Sequence, residues 1–237
     1  MPLLASSALA AAGKRPPSTM AKVPLNFREH PESEMILRAH QFRDELHSRR
    51  SVRDFSDRAI PPGILESCLE AAVTAPNGAN LQPWHFSVIR NPEIKEIIRL
   101  AAEDEEREFY QSRAPDEWLE ALAPIGTDAQ KPFLENAPAL VAIFQKSEIT
   151  LPDGRSTRTY YPKESVGIAT GFLIAALHHA GLATLPHTPS PMKFLNEILG
   201  RPSTEKPFLL LVVGFPTADC QIPDIKRRPL EEMIDFC

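Results

Sequence analysis

Three arginines fall within five residues, Arg49-Arg50-Ser51-Val52-Arg53, and Asp54-Phe55 follows. Arginine is a planar, permanently charged fork that suits phosphate and other planar acceptors. The chain as a whole is acidic, with 26 Lys and Arg against 31 Asp and Glu, a net charge of −5. A local cationic knot in such a chain points to a small anionic ligand and away from nucleic acid. Taken alone, Arg49 and Arg50 read more readily as complements of a helix C-terminal dipole than as a ligand site. A second basic cluster, Lys226-Arg227-Arg228-Pro229, lies far away in sequence. If the two clusters converge they make one phosphate site; alone, the second reads as a solvated tail.

A different chemistry is carried by Glu106, Tyr110 and Lys131. Glu106 and Tyr110 are four apart and share one face of a helix. A carboxylate, a phenol and an ammonium together suit a free amino acid: the carboxylate takes its ammonium, and the lysine and phenol take its carboxylate. The run from Glu103 to Glu108, broken only by Arg107, is also the pattern of an ordinary solvated helix face.

Other chemistries find little support. The seven histidines show no metal-ligand spacing, and the adjacent His178 and His179 point in different directions on a helix. There is no nucleophile elbow, phosphate loop or dinucleotide fingerprint. Cys68, Cys220 and Cys237 are odd in number and far apart, which disfavours a disulfide framework and suits a reducing, cytoplasmic setting. No apolar run reaches membrane-spanning length. Residues 1–22 are expected to form a disordered or targeting tail, and residues 23–237 one domain with a C-terminal arm.

The elements that must carry these residues are read from periodicity. Helices are expected over Pro31–Ser48, after Pro61-Pro62, over Glu93–Ser112, Asp116–Leu122, Asp128–Glu135, Lys163–Ala180 and Met192–Leu199. Strands are expected over Trp84–Ile89, Ala139–Phe144, Leu182–Leu185 and Phe208–Val213. Ser147–Thr159 reads as polar loop. The helix after Lys163 is apolar almost all round, the pattern of a helix buried on every side. Its small residues also suit close approach across a dimer seam. The class is α+β.

Arg49-Arg50-Ser51-Val52-Arg53, Ala75-Pro76-Asn77-Gly78-Ala79-Asn80 and Pro83-Trp84 resemble the opening of the nitroreductase superfamily of FMN flavoproteins. Within that family, Glu106, Tyr110, Trp118 and Lys131 are similar to its iodotyrosine deiodinase branch. Tyr160-Tyr161, Ala180-Gly181-Leu182, Thr188-Pro189, Leu199-Gly200-Arg201-Pro202 and Pro223-Asp224 extend the resemblance from about Val23 to Met233.

The resemblance implies a nitroreductase-like fold, with a central mixed sheet flanked by helices in an intertwined homodimer. Arg49, Arg50, Ser51, Val52, Arg53 and Arg227 would hold FMN. Pro76 and Asn77 would reach the flavin from the partner subunit. Pro186, His187 and Thr188 would lie along the ring, with the Thr188 hydroxyl near flavin N5, steering one-electron chemistry. The Ala79 backbone N–H would meet the phenolate oxygen of the substrate, and Glu106, Tyr110 and Lys131 would clamp its zwitterion. Animal members often carry serine at the Asn77 position and threonines at Pro186 and His187; Pro186 has no N–H to offer. The implied activity is reductive dehalogenation of halotyrosines, with NADPH donating electrons directly or through a reductase. A general NAD(P)H nitroreductase or quinone reductase, and a flavin- or halotyrosine-binding protein without turnover, are the alternatives.

Overall fold

The computed structural model describes residues 21–237 except Ala123 and Ile125. Most of the expected N-terminal tail therefore lies outside the described residues. Contacts divide the chain into residues 1–41 and 42–237. In the first unit, extended chain leads into helix α1 (Glu32–Ser48), which continues into the second. Glu34 stabilises the start of α1 by accepting from Arg38 at 2.8 Å. None of the α1 side chains is buried, although Met35, Ile36, Ala39, Phe42 and Leu46 recur at near-helical spacing.

The second unit is built on four strands: β1 (Trp84–Ile89), β2 (Ala139–Lys146), β5 (Ala183–His187) and β6 (Glu205–Gly214), in the order β1-β2-β6-β5. Around them lie α2 (Ile64–Ala72), α3 (Pro92–Glu108), α4 (Asp116–Leu122), α5 (Phe133–Asn136), α6 (Pro162–His179) and α7 (Phe194–Ile198). Alternate residues of a strand face opposite sides of its sheet, and β2 shows the consequence. Leu140, Ala142 and Phe144 pack in one core with Ile98 of α3, Leu134 of α5 and Leu195 of α7. Ala139, Val141 and Ile143 pack in the other with Leu65 of α2 and Val166, Leu173 and Leu177 of α6. A strand buried on both faces reads as an unbroken apolar run, as β2 and the end of β6 do.

The expectation of a mixed sheet needs correcting. All three strand pairs are antiparallel, and the parallel component is one bridge, Ser51 to Thr184. The reason is topological. β2 and β5 run in the same direction with the α6 crossover between them, but β6 inserts between the two and pairs antiparallel with both.

Four other elements differ from expectation. The long third helix stops at Glu108 and gives way to a π turn, Phe109–Arg113. The helix expected from Asp128 shrinks to Phe133–Asn136, because a residue before proline avoids helical geometry and Lys131 precedes Pro132. The expected polar loop folds into a hairpin, β3 (Glu148–Thr150) with β4 (Ser156–Arg158), closed through Gly154 at φ 84°. Finally, α6 is not covered all round: Ile168 and Phe172 stand open, 42% and 43% exposed.

Gly214 ends β6 where no side chain fits. A Cβ there would lie 2.5 Å from Pro138 Cδ and 3.2 Å from Phe55 Cδ1. Gly214→Ala is expected to cost about 1–3 kcal/mol through overpacking. A urea midpoint unchanged from wild type would refute this.

Candidate functional site

The arginine segment is stitched to the edge of the sheet. Val52 donates its N–H to the Thr184 carbonyl at 3.2 Å, and Ser56 donates to the Phe215 carbonyl at 2.9 Å. Val52 and Phe55 sink into the core between these anchors, leaving Arg49, Arg50 and Arg53 half-buried beside it. The distant cluster does converge on them, through one residue. Arg227 donates from Nη1 to the His47 carbonyl and from Nη2 to the Arg49 carbonyl, both at 3.0 Å. Arg50 donates to the Pro223 carbonyl, tying down the same C-terminal arm.

Together Arg49, Arg50, Ser51, Arg53, Ile225 and Arg227 line one cavity. Burial pushes the Arg49 guanidinium down from its ordinary range, and the Arg227 and Arg50 charges add to the effect. Among the described residues no carboxylate forms an ion pair with Arg49, Arg50, Arg53 or Arg227. Like charges held together without a counter-charge fit an anionic ligand such as a phosphate. Lys226 and Arg228 do not line this cavity, and Val52 lines neither it nor its neighbour.

Arg53 is shared with that neighbour, a cavity of about 200 Å³ that also meets Glu106, Tyr110, Lys131, Pro186, His187 and Thr188. Three stretches of chain, at Arg53, from Glu106 to Lys131 and from Pro186 to Thr188, each more than 50 positions from the next, thus face one space. Lys131 Nζ lies 3.2 Å from Glu106 Oε2, with the two side chains 3% and 14% exposed. Lys131 also donates to Thr127 Oγ1 at 3.1 Å and to the Asp128 carbonyl. The Tyr110 hydroxyl donates to the Thr127 carbonyl at 3.3 Å, and Lys131 Nζ stands 5.7 Å from its ring centre. Burial raises the Tyr110 phenol, which therefore remains a neutral donor at physiological pH. Tyr110 sits inside the π turn, and Phe109 beside it packs edge-on against Trp118 at 5.2 Å. Such turns often mark functional positions.

The other wall comes from β5. Thr184 turns its carbonyl to the outer edge of the sheet, and Pro186, two residues on, has the same orientation. Its missing N–H therefore costs no ladder bond with β6. His187 is buried against Phe133, and its Nε2 has no hydrogen-bond partner among the described residues.

Burial, with the Lys131 and Arg53 charges adding to it, pushes His187 down to about 3. An unfolded histidine titrates near 6.5. Between those values the unfolded chain binds a proton that the folded chain refuses, so stability falls as pH falls through this window. The expected slope well inside it is about 1.4 kcal/mol per pH unit. Urea midpoints at pH 7.5 and 5.0 for wild type and His187→Phe test this; equal pH dependence would refute it.

Pro76, Asn77 and Ala79 do not line either cavity of their own chain. They follow α2 in an exposed loop with unusual backbone: Ala79, Asn80 and Gln82 have φ of 53°, 54° and 47°. Left-handed geometry costs about 1–2 kcal/mol for a non-glycine residue, so the loop is held in place deliberately. Asn77 does so from both ends, donating to the Ala75 carbonyl at 3.1 Å and accepting from the Gln82 N–H at 2.8 Å.

Sequence reasoning did not single out Thr127, which accepts from both Tyr110 and Lys131 through separate oxygens. A threonine in a polar loop carries no signal of its own.

The model of the nitroreductase family matches residues 46–215. Iodotyrosine deiodinase of Haliscomenobacter hydrossis is 50% identical over 208 residues, spanning 88% of this chain and 94% of the relative. Iodotyrosine deiodinase 1 of Homo sapiens is 38% identical over 215 residues, spanning 90% and 74%. The chain belongs to the iodotyrosine deiodinase branch of the nitroreductase family. A crystal structure of oxidized iodotyrosine deiodinase bound to FMN and 3-iodo-L-tyrosine superposes with a TM-score of 0.69 at 29% identity, covering 82% of this chain and all of that one. The α+β nitroreductase-like fold is therefore established for this family member. No helix among the described residues is long and apolar enough to cross a membrane.

Proposed function

We propose that this protein is an FMN-dependent reductive dehalogenase that converts 3-iodotyrosine, and related halotyrosines, to tyrosine and halide. One observation carries the reading. A nearly solvent-free Glu106–Lys131 pair with Tyr110 beside it opens onto the same cavity as Arg53 and Thr188. A nitroaromatic or quinone has no zwitterion to use that pair. An amino acid does: its ammonium replaces Lys131 at Glu106, and its carboxylate takes Lys131 and Tyr110.

The residues fit FMN. Arg49, Arg50, Ser51 and Arg227 would take the phosphate, because the three guanidinium charges have no ion-pair partner among the described residues. Arg53, Pro186, His187 and Thr188 would lie along the ring, and the buried His187 Nε2, which has no hydrogen-bond partner among the described residues, would be a polar atom left for it. Bound FMN supplies two electrons in single steps. With one proton these balance the reaction, because the carbon–iodine bond breaks to iodide and a carbon–hydrogen bond takes its place. The chain's residues orient the substrate through a zwitterion remote from the reacting carbon and exclude water around it. The Thr188 hydroxyl would hydrogen-bond the ring.

The Pro76-to-Ala79 loop acts from the partner subunit of a homodimer, which accounts for its absence from its own chain's cavity. There the Ala79 N–H donates to the substrate phenolate. Open apolar side chains support the dimer: Ile168 and Phe172 on α6, Phe42 on α1, and Leu230 and Met233 on the C-terminal arm. We read residues 23–237 as the FMN domain with that arm, in a reducing cytoplasmic setting, with NADPH as electron source directly or through a reductase.

The test is an anaerobic titration of the FMN-loaded protein with 3-iodotyrosine, followed by dithionite reduction and turnover. Quenching of flavin fluorescence and release of tyrosine and iodide are expected. Bound FMN that ignores 3-iodotyrosine would reject the substrate.

A further inference from the structure

Resting on that reading, we infer that Glu103 is a positioning residue for the substrate clamp, holding Lys131 in register with Glu106 once the direct ion pair between them opens. The argument begins with where the clamp stands. Glu106 is on α3, whereas Lys131 is in the irregular segment just before α5. Their direct link is the 3.2 Å ion pair. A bound zwitterion must insert into that pair, so the link is lost at the moment when the spacing matters.

A second link survives binding. The Lys131 backbone N–H donates to Glu103 Oε1 at 2.8 Å, in a buried setting. Glu103 sits one turn before Glu106, so the same stretch of α3 grips the lysine backbone and presents the partner of its side chain. The other Glu103 oxygen accepts from Arg99 Nη1 at 2.9 Å, and Arg99 Nε reaches Glu135 Oε2 at 2.6 Å. The chain Lys131–Glu103–Arg99–Glu135 ties α3 to α5 behind the clamp, without using any atom that would touch substrate. Pro132 contributes from the other side, since it restricts the Lys131 backbone to extended geometry. Glu103 is only 8% exposed, so its charge is committed to this network and is not part of a solvated face.

The experiment compares two ligands on the FMN-loaded holoenzyme by flavin fluorescence quenching: 3-iodotyrosine, and 2-iodophenol, which keeps the halogenated phenol and lacks the zwitterion. Glu103→Leu is expected to weaken 3-iodotyrosine roughly tenfold or more, the effect of losing a charge-assisted hydrogen bond. It leaves FMN bound and 2-iodophenol affinity within about twofold. Glu103→Gln keeps an oxygen for the Lys131 N–H and is expected to restore most of the loss. In a Lys131→Ala background the effect of Glu103→Leu disappears, since no ammonium remains to be placed. If Glu103→Leu does not fold, Arg99→Met releases the same carboxylate and is read with the same two ligands. Equal losses for both ligands, or an undiminished effect in the Lys131→Ala background, would overturn the positioning role while leaving the activity standing. Wild-type protein that binds FMN and 2-iodophenol but not 3-iodotyrosine would overturn the substrate reading and this inference together.

Discussion

Lys131→Ala is expected to weaken 3-iodotyrosine binding by about a hundredfold or more, with FMN retained. Truncating one member of a buried, hydrogen-bonded charge pair costs about 2–5 kcal/mol, much of it the penalty of leaving the other charge alone. Here the orphan would be Glu106, whose side chain is 14% exposed. The variant without substrate should therefore be less stable than wild type. Adding Glu106→Gln should restore much of that stability, because the buried charge goes with its partner. It cannot restore binding, because neither end of the zwitterion then meets a charge. This opposite behaviour of stability and affinity separates a substrate clamp from a structural ion pair. Urea titration and fluorescence quenching on the single and double variants read the two quantities. An unchanged dissociation constant in Lys131→Ala would remove the clamp from the mechanism.

The second large effect concerns the cationic cavity and has an unusual sign. Arg49→Gln is expected to lower FMN affinity roughly 10- to 100-fold, the worth of a charge-assisted phosphate contact. The same substitution should leave the FMN-free protein as stable as wild type or slightly more so. Arg49 makes no ion pair among the described residues, and the neighbouring Arg227 and Arg50 charges already oppose its own. Removing it relieves repulsion and breaks no side-chain hydrogen bond or ion pair seen among the described residues. Arg227→Ala differs, since that side chain ties the arm to the His47 and Arg49 carbonyls. It should weaken FMN and loosen the arm together. FMN titration of the apoprotein, with melting curves with and without FMN, distinguishes the two, because ligand stabilisation scales with affinity. Substantial destabilisation of FMN-free Arg49→Gln would mean that the arginine serves the fold.

Much of this molecule is legible in its sequence because the signals are local. Strand β2 opens on an apolar run from Ala139 to Phe144 and β6 carries one from Phe208 to Val213, each next to polar residues, and α4 follows its expected span, Asp116–Leu122. Where expectation and structure part, the competing physics is identifiable. Pro132 shortens α5 by constraining Lys131. Gly154 closes a hairpin where composition alone suggested loop. The apolar periods of α1 and α6 were legible too, but a single chain buries no residue of the first and only one face of the second. Periodicity reports that a face is to be buried, and says nothing of what buries it.

The site divides in the same way. Residue chemistry alone offered an arginine cluster that could take phosphate and a Glu, Tyr and Lys set that could take a zwitterion, each beside an ordinary helix reading, and the resemblance to the family chose between them. Only the tertiary structure decided that these face one another across Arg53, that Arg227 and not Lys226 or Arg228 completes the knot, and that Glu106 and Lys131 pair within 3.2 Å. It alone decided that Pro76, Asn77 and Ala79 stand away from the cavity of their own chain. Such distances arise where β5, the end of α3 and the turn before Pro132 are packed around a sheet whose strand order, β1-β2-β6-β5, is set by long-range pairing. That pairing depends on the balance of burial and loop closure over the whole chain, which no local pattern encodes.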